Sequence, residues 1–335
     1  MTNATMPGKL TEKVRNIQRS GKQPAILVIG DLMIDHYIWG DATRLSPEAP
    51  VPIVNVRDES TTLGGAANVA QNLVSLGAKV TLGGIVGDDA YGVMLTGIMA
   101  DEGLVTDAII RDPGRPTTVK TRVVAGSHQL VRVDREITDP VSSALEDELT
   151  DKLDHYINEA DIILFSDYGK GLFSHSLSQR LIGLAKSKYK KVIIDPKGFD
   201  YSKYKGASII KPNRKELAEA AKTDKIKSLD DLQKAAKIVL QQTGTEYLVV
   251  TLSEEGMIIL DELTYKQLPV KATAVFDVTG AGDTVLATMA YFLASGLGIE
   301  EACDLANHAA AIVIRRVGSA TTTIDEIIAE LEISE

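Results

Sequence analysis

Cysteine is almost missing: Cys303 stands alone in 335 residues. One thiol excludes an internal disulfide and a cysteine-built zinc cluster. It sits in the helical run 300–314, where a buried structural thiol is expected rather than a nucleophile. Aromatic residues are few, with one tryptophan, Trp39. Positive charge is short too: 36 Lys and Arg face 46 Asp and Glu, a net −10. General binding to nucleic acid or to an anionic membrane is disfavoured, and an anionic substrate needs a local basic pocket. No apolar run reaches the roughly 20 residues that span a bilayer. Residues 1–22 are polar and lack the apolar core of a secretory signal, which predicts the cytoplasm. Two nucleotide-binding fingerprints are also missing. The first strand ends Gly30-Asp31-Leu32-Met33, without G-x-G-x-x-G, and no G-x-x-x-x-G-K-[ST] occurs.

Hydrophobic residues make up 44% of the chain and glycines number 27, which fits a globular enzyme with many strand-to-helix turns. The apolar run 25–29 reads as a strand buried on both faces. Further strands are expected at 80–86, 108–111, 161–165, 191–194, 208–210, 247–251 and 257–260. Helical segments lie between them at 91–102, 141–159, 176–187 and through 242. Strand and helix alternate, so the fold class is α/β with a doubly wound, mainly parallel sheet flanked by helices. Residues 1–22 read as a frayed surface arm with a short helix over 10–19, and 23–335 as one domain. Two β-rich pieces, about 37–62 and 115–135, interrupt the rhythm. Pro47, Pro50 and Pro52 argue for an edge strand there. Together the pieces predict a small β-sheet lid, with Trp39 in its packing.

The chain is organised around Phe276-Asp277-Val278-Thr279-Gly280-Ala281-Gly282-Asp283-Thr284. A β-like segment over 265–275 precedes it and the apolar run 285–293 follows, so it reads as a turn opening a buried helix. Gly280 and Gly282 leave backbone N–H groups open, and the helix N-terminus adds its positive end. Such an anion hole suits a phosphoryl group in transfer. Asp283 at its lip would repel a bound phosphate, so it suits accepting a proton from an attacking hydroxyl. The rival reading of Asp283 is a simple helix cap. Asp31 and Asp35 follow the first strand, where α/β sheets bind ligands. Gly64-Gly65 is expected to open a helix running to Leu76, with Asn68 one turn in, able to donate and accept to a polyol. Asn213 and Glu216 stand three apart; they fit either a capping box or a site where Glu216 holds Mg2+ directly or through water. Asn307 fits helix packing as well as a ligand role, whereas His308 reads as a packed or solvated helix residue rather than a ligand.

The string D-V-T-G-A-G-D-T resembles the C-terminal signature of the ribokinase-like (PfkB) sugar kinases, and the likeness runs from Ile26 to Thr322. It implies the ribokinase-like fold, ATP as co-substrate and Mg2+; whether a monovalent cation is also needed stays open. By resemblance Asp283 is the catalytic base, and Gly280, Ala281 and Gly282 hold the transferring phosphate. Gly64, Gly65 and Asn68 with Asp31 and Asp35 become the sugar-binding signature. Asn213 and Glu216 govern the Mg2+–phosphate region, and Thr251, Ser253, Gly256 and Asn307 line the nucleotide.

Within that family the string Ser46-Pro47-Glu48-Ala49-Pro50-Val51-Pro52 resembles the heptose 7-phosphate kinases of ADP-heptose synthesis. So do Gln129-Leu130-Val131-Arg132-Val133-Asp134, Ser166-Asp167-Tyr168-Gly169-Lys170 and Asp195-Pro196-Lys197. The resemblance implies phosphorylation of the anomeric hydroxyl of D-glycero-D-manno-heptose 7-phosphate. With no H-x-G-H motif, the chain is expected to be the stand-alone kinase, with adenylyl transfer left to another protein. The alternatives are a PfkB kinase of another sugar and a non-catalytic sugar sensor on the same fold. Arg132, Asp134, Lys170 and Lys197 are the candidates around the substrate, the three cations for its 7-phosphate. A free lid edge predicts a homodimer.

Overall fold

The computed structural model describes residues 7–126, 128–271 and 275–334. The start of the expected arm, and residues 272–274 of the strand expected over 265–275, lie outside the described residues. The chain opens with helix α1 (Pro7–Ser20) and strand β1 (Ala25–Gly30), then β2 (Leu32–Leu45), β3 (Pro52–Gly65) and α2 (Ala66–Ser75). Next come β4 (Lys79–Gly87), α3 (Ala90–Asp101), β5 (Val105–Asp112), β6 (Thr118–Ala125) and β7 (His128–Arg135). The order continues with α4 (Ser143–Glu159), β8 (Ile162–Ser166), α5 (His175–Ser187), β9 (Lys191–Asp195) and β10 (Ile209–Ile210). Helices α6 (Arg214–Ala220) and α7 (Leu229–Thr243) precede β11 (Tyr247–Thr251), β12 (Met257–Leu260) and β13 (Tyr265–Leu268). Helices α8 (Ala281–Ala294), α9 (Ile299–Val313) and α10 (Ile324–Ser334) close the described chain.

Among the described residues nine strands form one sheet in the order β13-β12-β11-β10-β9-β8-β1-β4-β5. β12 and β13 run antiparallel to their neighbours; the other seven are parallel. Helices cover both faces, which is why β1 is apolar without a break. Its side chains alternate between two cores. Ile26 and Val28 join the core of α1, α2, α8, α9 and α10, while Leu27 and Ile29 join that of α4, α5 and α7. The chain winds one way through β4 and β5 and the other way through β8 to β11. The switch lies at β1 and β8, paired to Gly30 and Ser166. Ligands of such sheets bind where strands at a switch point end.

A second sheet, β3-β2-β6-β7, stands beside the first. β2 is antiparallel to β3 and parallel to β6, and β6 is antiparallel to β7. Its strands start deeper than the sequence predicts. Leu32, Met33 and Ile34 of β2 are buried before the strand projects outward. β3 and β7 are the free edges, and β7 is exposed along its length.

Gly65 is the N-cap of α2 and Leu76 its C-cap, as expected; Gly64 and Gly65 also end β3, so the strand runs straight into the helix. Gly65 makes that junction at φ +58, and a Cβ there would lie 2.4 Å from the Asp31 carbonyl oxygen. Helix α1 is not frayed: Leu10 and Val14 are buried in the core that α10 shares, and Lys13 pairs with Glu301 at 2.5 Å. Gly65→Ala should lower stability by about 1–3 kcal/mol in urea unfolding. Gly97→Ala, in open space on α3, should raise it by about 0.5–1 kcal/mol. Equal effects would show that the junction carries no strain.

Candidate active site

The organising loop is pinned by Asp277. One of its carboxylate oxygens accepts from the Thr279 N–H (2.9 Å) and hydroxyl (2.7 Å), the other from the Gly318 N–H (2.9 Å). Gly280 then turns at φ +76 and α8 begins with the first-turn N–H groups facing outward from its end. Asp283 lies in that first turn and is buried, yet it does not cap its own helix. Its Oδ1 accepts from the Tyr168 hydroxyl at 2.5 Å and its Oδ2 from Asn68 Nδ2 at 2.6 Å. The simple-cap reading of Asp283 is therefore excluded. Burial pushes the Asp283 carboxyl above its ordinary value; the bonds from Tyr168 and Asn68 and the charge of Lys211 pull it back, and Asp35 adds to the rise. One turn further, Asn72 Oδ1 accepts from the Thr284 hydroxyl at 2.8 Å, so α2 and α8 are latched twice.

Asp35 lies on β2, where Arg122 Nη1 of β6 reaches its Oδ1 at 2.5 Å. The Arg122 guanidinium also stacks over the Tyr37 ring at 5.2 Å. A Cβ on Gly64 would lie 2.6 Å from Asp35 Oδ2, so this glycine makes room for the carboxylate. Asp31 faces a different partner, the loop after β8, where its Oδ2 accepts from the Tyr168 and Lys170 N–H groups. Burial first, then the neighbouring Asp167, raise its carboxyl to about 6. Trp39 stacks on Tyr37 with ring centres 5.5 Å apart, inside the lid.

The lid cations form a chain. Arg132 grips Asp134 with two nitrogens at 2.8 Å each; Lys120 bonds Asp134 (3.3 Å) and Glu136 (3.1 Å); Lys170 bonds Glu136 (2.7 Å). Three cations against two carboxylates leave one positive charge over. Lys197 is placed differently: its stem passes Gly169, but its ammonium sits on Glu216 at 2.9 Å.

Across the crevice, Asn213 and Glu216 complete a capping box at the start of α6. Glu216 thus already serves the helix and Lys197, with lone pairs to spare. Lys211, nearly inaccessible, pairs with Asp195 at 3.0 Å, and a Cβ on Gly282 would lie 4.0 Å from its ammonium. Burial pushes the Asp195 carboxyl up to about 7; Lys211 opposes the rise and Glu216 adds to it. Thr251 is bridged to Asn213, and Ser253 holds φ +53 in a short turn that Gly256 closes at φ +86. Asn307 donates to the Pro269 carbonyl at 2.7 Å. Cys303 and His308 are buried in helix packing. Among the described residues no three His, Cys, Asp or Glu form a metal cage.

The structure brings Asp283, Asn68 and Tyr168 together, sets Asp35 on Arg122 and links Arg132 to Lys170. Reading the residues in sequence missed Arg122, Lys120, Glu136 and Lys211, and gave Tyr168 and Asp195 no role beyond their place in two motifs. Their signal was positional: Tyr168, Asp195 and Lys211 each lie at or just past the end of a buried strand.

Residues 23–326 match the pattern of the pfkB family carbohydrate kinases. The "Bifunctional protein HldE" of Helicobacter hepaticus is 47% identical over 307 residues, 92% of this chain and 64% of that protein. Its namesake from Wolinella succinogenes is 45% identical over 311 residues, 93% of this chain and 65% of that protein. The chain thus spans just under two thirds of the length of these relatives. Among solved structures, phosphofructokinase-2 from Escherichia coli in complex with potassium superposes with a TM-score of 0.75 at 20% identity, over 93% of this chain and all of that one. Arabidopsis thaliana ribokinase complexed with ribose and ATP gives 0.73 at 19% identity, over 93% of this chain and 99% of that one. Those likenesses establish the ribokinase-like fold, and the match across 23–326 shows that the chain belongs to the pfkB family of carbohydrate kinases.

Proposed function

We propose that this chain transfers the γ-phosphoryl group of ATP to the anomeric hydroxyl of D-glycero-D-manno-heptose 7-phosphate, giving the 1,7-bisphosphate. The observation that carries the reading is the buried Asp283 at the mouth of α8, bonded to Tyr168 and Asn68 beside the Gly280-Ala281-Gly282 backbone. The S-P-E-A-P-V-P string and the 45–47% identity to proteins called HldE support the heptose phosphate. In this reading Asp283 accepts the hydroxyl proton as the sugar oxygen attacks phosphorus. The open N–H groups of α8 face the phosphoryl oxygens, and Lys211 lends positive charge next to Gly282. Asp35, Asn68, Gly64 and Gly65 surround the sugar, with Asp31 holding the loop beneath. Thr251, Ser253, Gly256 and Asn307 line the nucleotide.

Asn213 and Glu216 offer oxygen atoms without a closed cage, which fits Mg2+ retaining water and phosphate ligands. When bound, Mg2+ neutralises charge on the phosphates. Among the described residues no helix is long and apolar enough to cross a membrane. The need for ATP and a sugar phosphate in this reading places the reaction in the cytoplasm. Arg132 and Lys170 hold the 7-phosphate, with Lys197 a third candidate beside them. Two copies pair through the lid edges, where Val56 and Val133 stand exposed.

An ADP-release screen over sugar phosphates tests the activity; no release with heptose 7-phosphate would overturn the substrate. Asp283→Asn should cost about 10²–10⁴ in turnover, with both ligands still bound in calorimetry. Loss of binding instead of rate would remove the base role. Arg132→Ala or Lys170→Ala should raise KM for the sugar phosphate roughly 10- to 150-fold and leave KM for ATP alone. Unchanged sugar KM in both would place the phosphate elsewhere. Lysine at both Val56 and Val133 should give monomers in sedimentation velocity, and a mass equal to the unaltered chain would exclude lid pairing.

A further inference from the structure

The loop after β8 is fastened more firmly than its own turns require. Three successive N–H groups, of Tyr168, Gly169 and Lys170, are taken by two buried carboxylates. Asp31 Oδ2 accepts the first at 2.8 Å and the third at 3.1 Å; Asp167 Oδ1 accepts the second at 2.7 Å. Asp167 is in turn gripped by the Tyr204 hydroxyl at 2.5 Å and by Lys203 at 2.6 Å. At the loop's outer end Lys170 is held by Glu136. Burying carboxylates is costly, so a turn built on two of them holds something whose place matters. What it presents to the crevice is the Tyr168 phenol, 2.5 Å from Asp283 Oδ1.

We infer that Tyr168 is the positioning residue of the transfer base: its hydroxyl fixes the rotamer of Asp283 and keeps that carboxylate ionised in the closed crevice. The inference rests on the proton-accepting role proposed for Asp283. Each carboxylate oxygen has two lone pairs. Tyr168 takes one on Oδ1 and Asn68 one on Oδ2, which leaves room on each for a sugar hydroxyl. In transfer the hydroxyl proton moves to Asp283 and the sugar oxygen bonds phosphorus. The bond from phosphorus to the bridging oxygen breaks, and its electron pair leaves on ADP. Tyr168 keeps its own proton throughout. Burial, with the nearby carboxylates of Asp283, Asp195 and Asp35, holds the phenol well above its usual pKa. It is a fixed donor and not a second base.

The charged groups facing Asp283 are Lys211 after β10, Asp35 on β2 and Asp195 at the end of β9. Burial raises the Asp283 carboxyl, Tyr168, Asn68 and Lys211 lower it, and Asp35 adds to the rise; Asp283 in turn helps to raise Asp195. Removing the phenol removes a lowering contact. The base form then exists only above a higher pH, and the acid limb of the rate profile moves up.

The test is Tyr168→Phe in the full chain, read two ways. Carboxyl carbon NMR, with the Asp283 signal assigned through Asp283→Asn, follows the ionisation without any substrate. Its midpoint should rise by about one to two pH units. In the ADP-release assay kcat should fall about ten- to a hundredfold below the new midpoint and recover at high pH, with both KM values unchanged. An unmoved midpoint, or a uniform loss of rate at every pH, overturns the inference. If Tyr168→Phe does not fold, 3-fluorotyrosine at Tyr168 serves instead. Its more acidic phenol donates more strongly and should lower the midpoint; an unmoved midpoint again overturns. Failure of the unaltered chain to release ADP with any sugar phosphate would remove the proposed activity and leave the NMR midpoint decisive for Tyr168.

Discussion

A buried carboxylate stays charged only where donors replace the water it has lost, and in this molecule two separate elements supply them to a third. Asp283 sits where α2, α8 and the loop after β8 meet, and each contributes part of its surroundings. Without Asn68 and Tyr168 the charge would be unpartnered in a desolvated crevice, and the group would take up a proton instead. The requirement reaches outward. Asn68 needs α2 to start directly at the end of β3, which needs Gly65 in a conformation that strongly favours glycine. Tyr168 needs its loop held by Asp31 and Asp167, the residues that follow the two paired strands at the switch point.

The same architecture separates charges by role. Around the lid, cations and carboxylates alternate with one positive charge over. Beneath α8, Lys211 is closed in with Asp195 and stays near the glycine backbone. A chain of net charge −10 thus keeps a local positive surplus at the lid, while Lys211 is matched by Asp195.

Much of this was legible in the residues. Continuous apolar strands separated by amphipathic helices allow little besides a doubly wound sheet, since only strands covered on both faces can be apolar throughout. D-V-T-G-A-G-D-T announced a helix start bounded by glycine with an acid in its first turn, because glycine there permits the turn that opens the helix. Capping boxes are local, so Asn213 and Glu216 were readable as one. The expected strand over 265–275 was too long, since β13 ends at Leu268. The frayed reading of α1 failed for a related reason: an amphipathic helix near a terminus looks solvated until its partner, here α10, is known.

The sequence by itself determined the fold class, the glycine-bounded helix start and the identity of its acid, because these depend on near neighbours and on the period of apolar residues. Only the tertiary structure decided which donors face that acid. Asn68 and Asp283 are 215 positions apart and Tyr168 and Asp283 115. It also decided that Asp31 serves a loop while Asp35 meets Arg122, though the two carboxylates lie four residues apart just past the first strand. Hydrogen bonds act over about 3 Å, and pairing at that range is set by how strands order in the sheet, which no local pattern encodes.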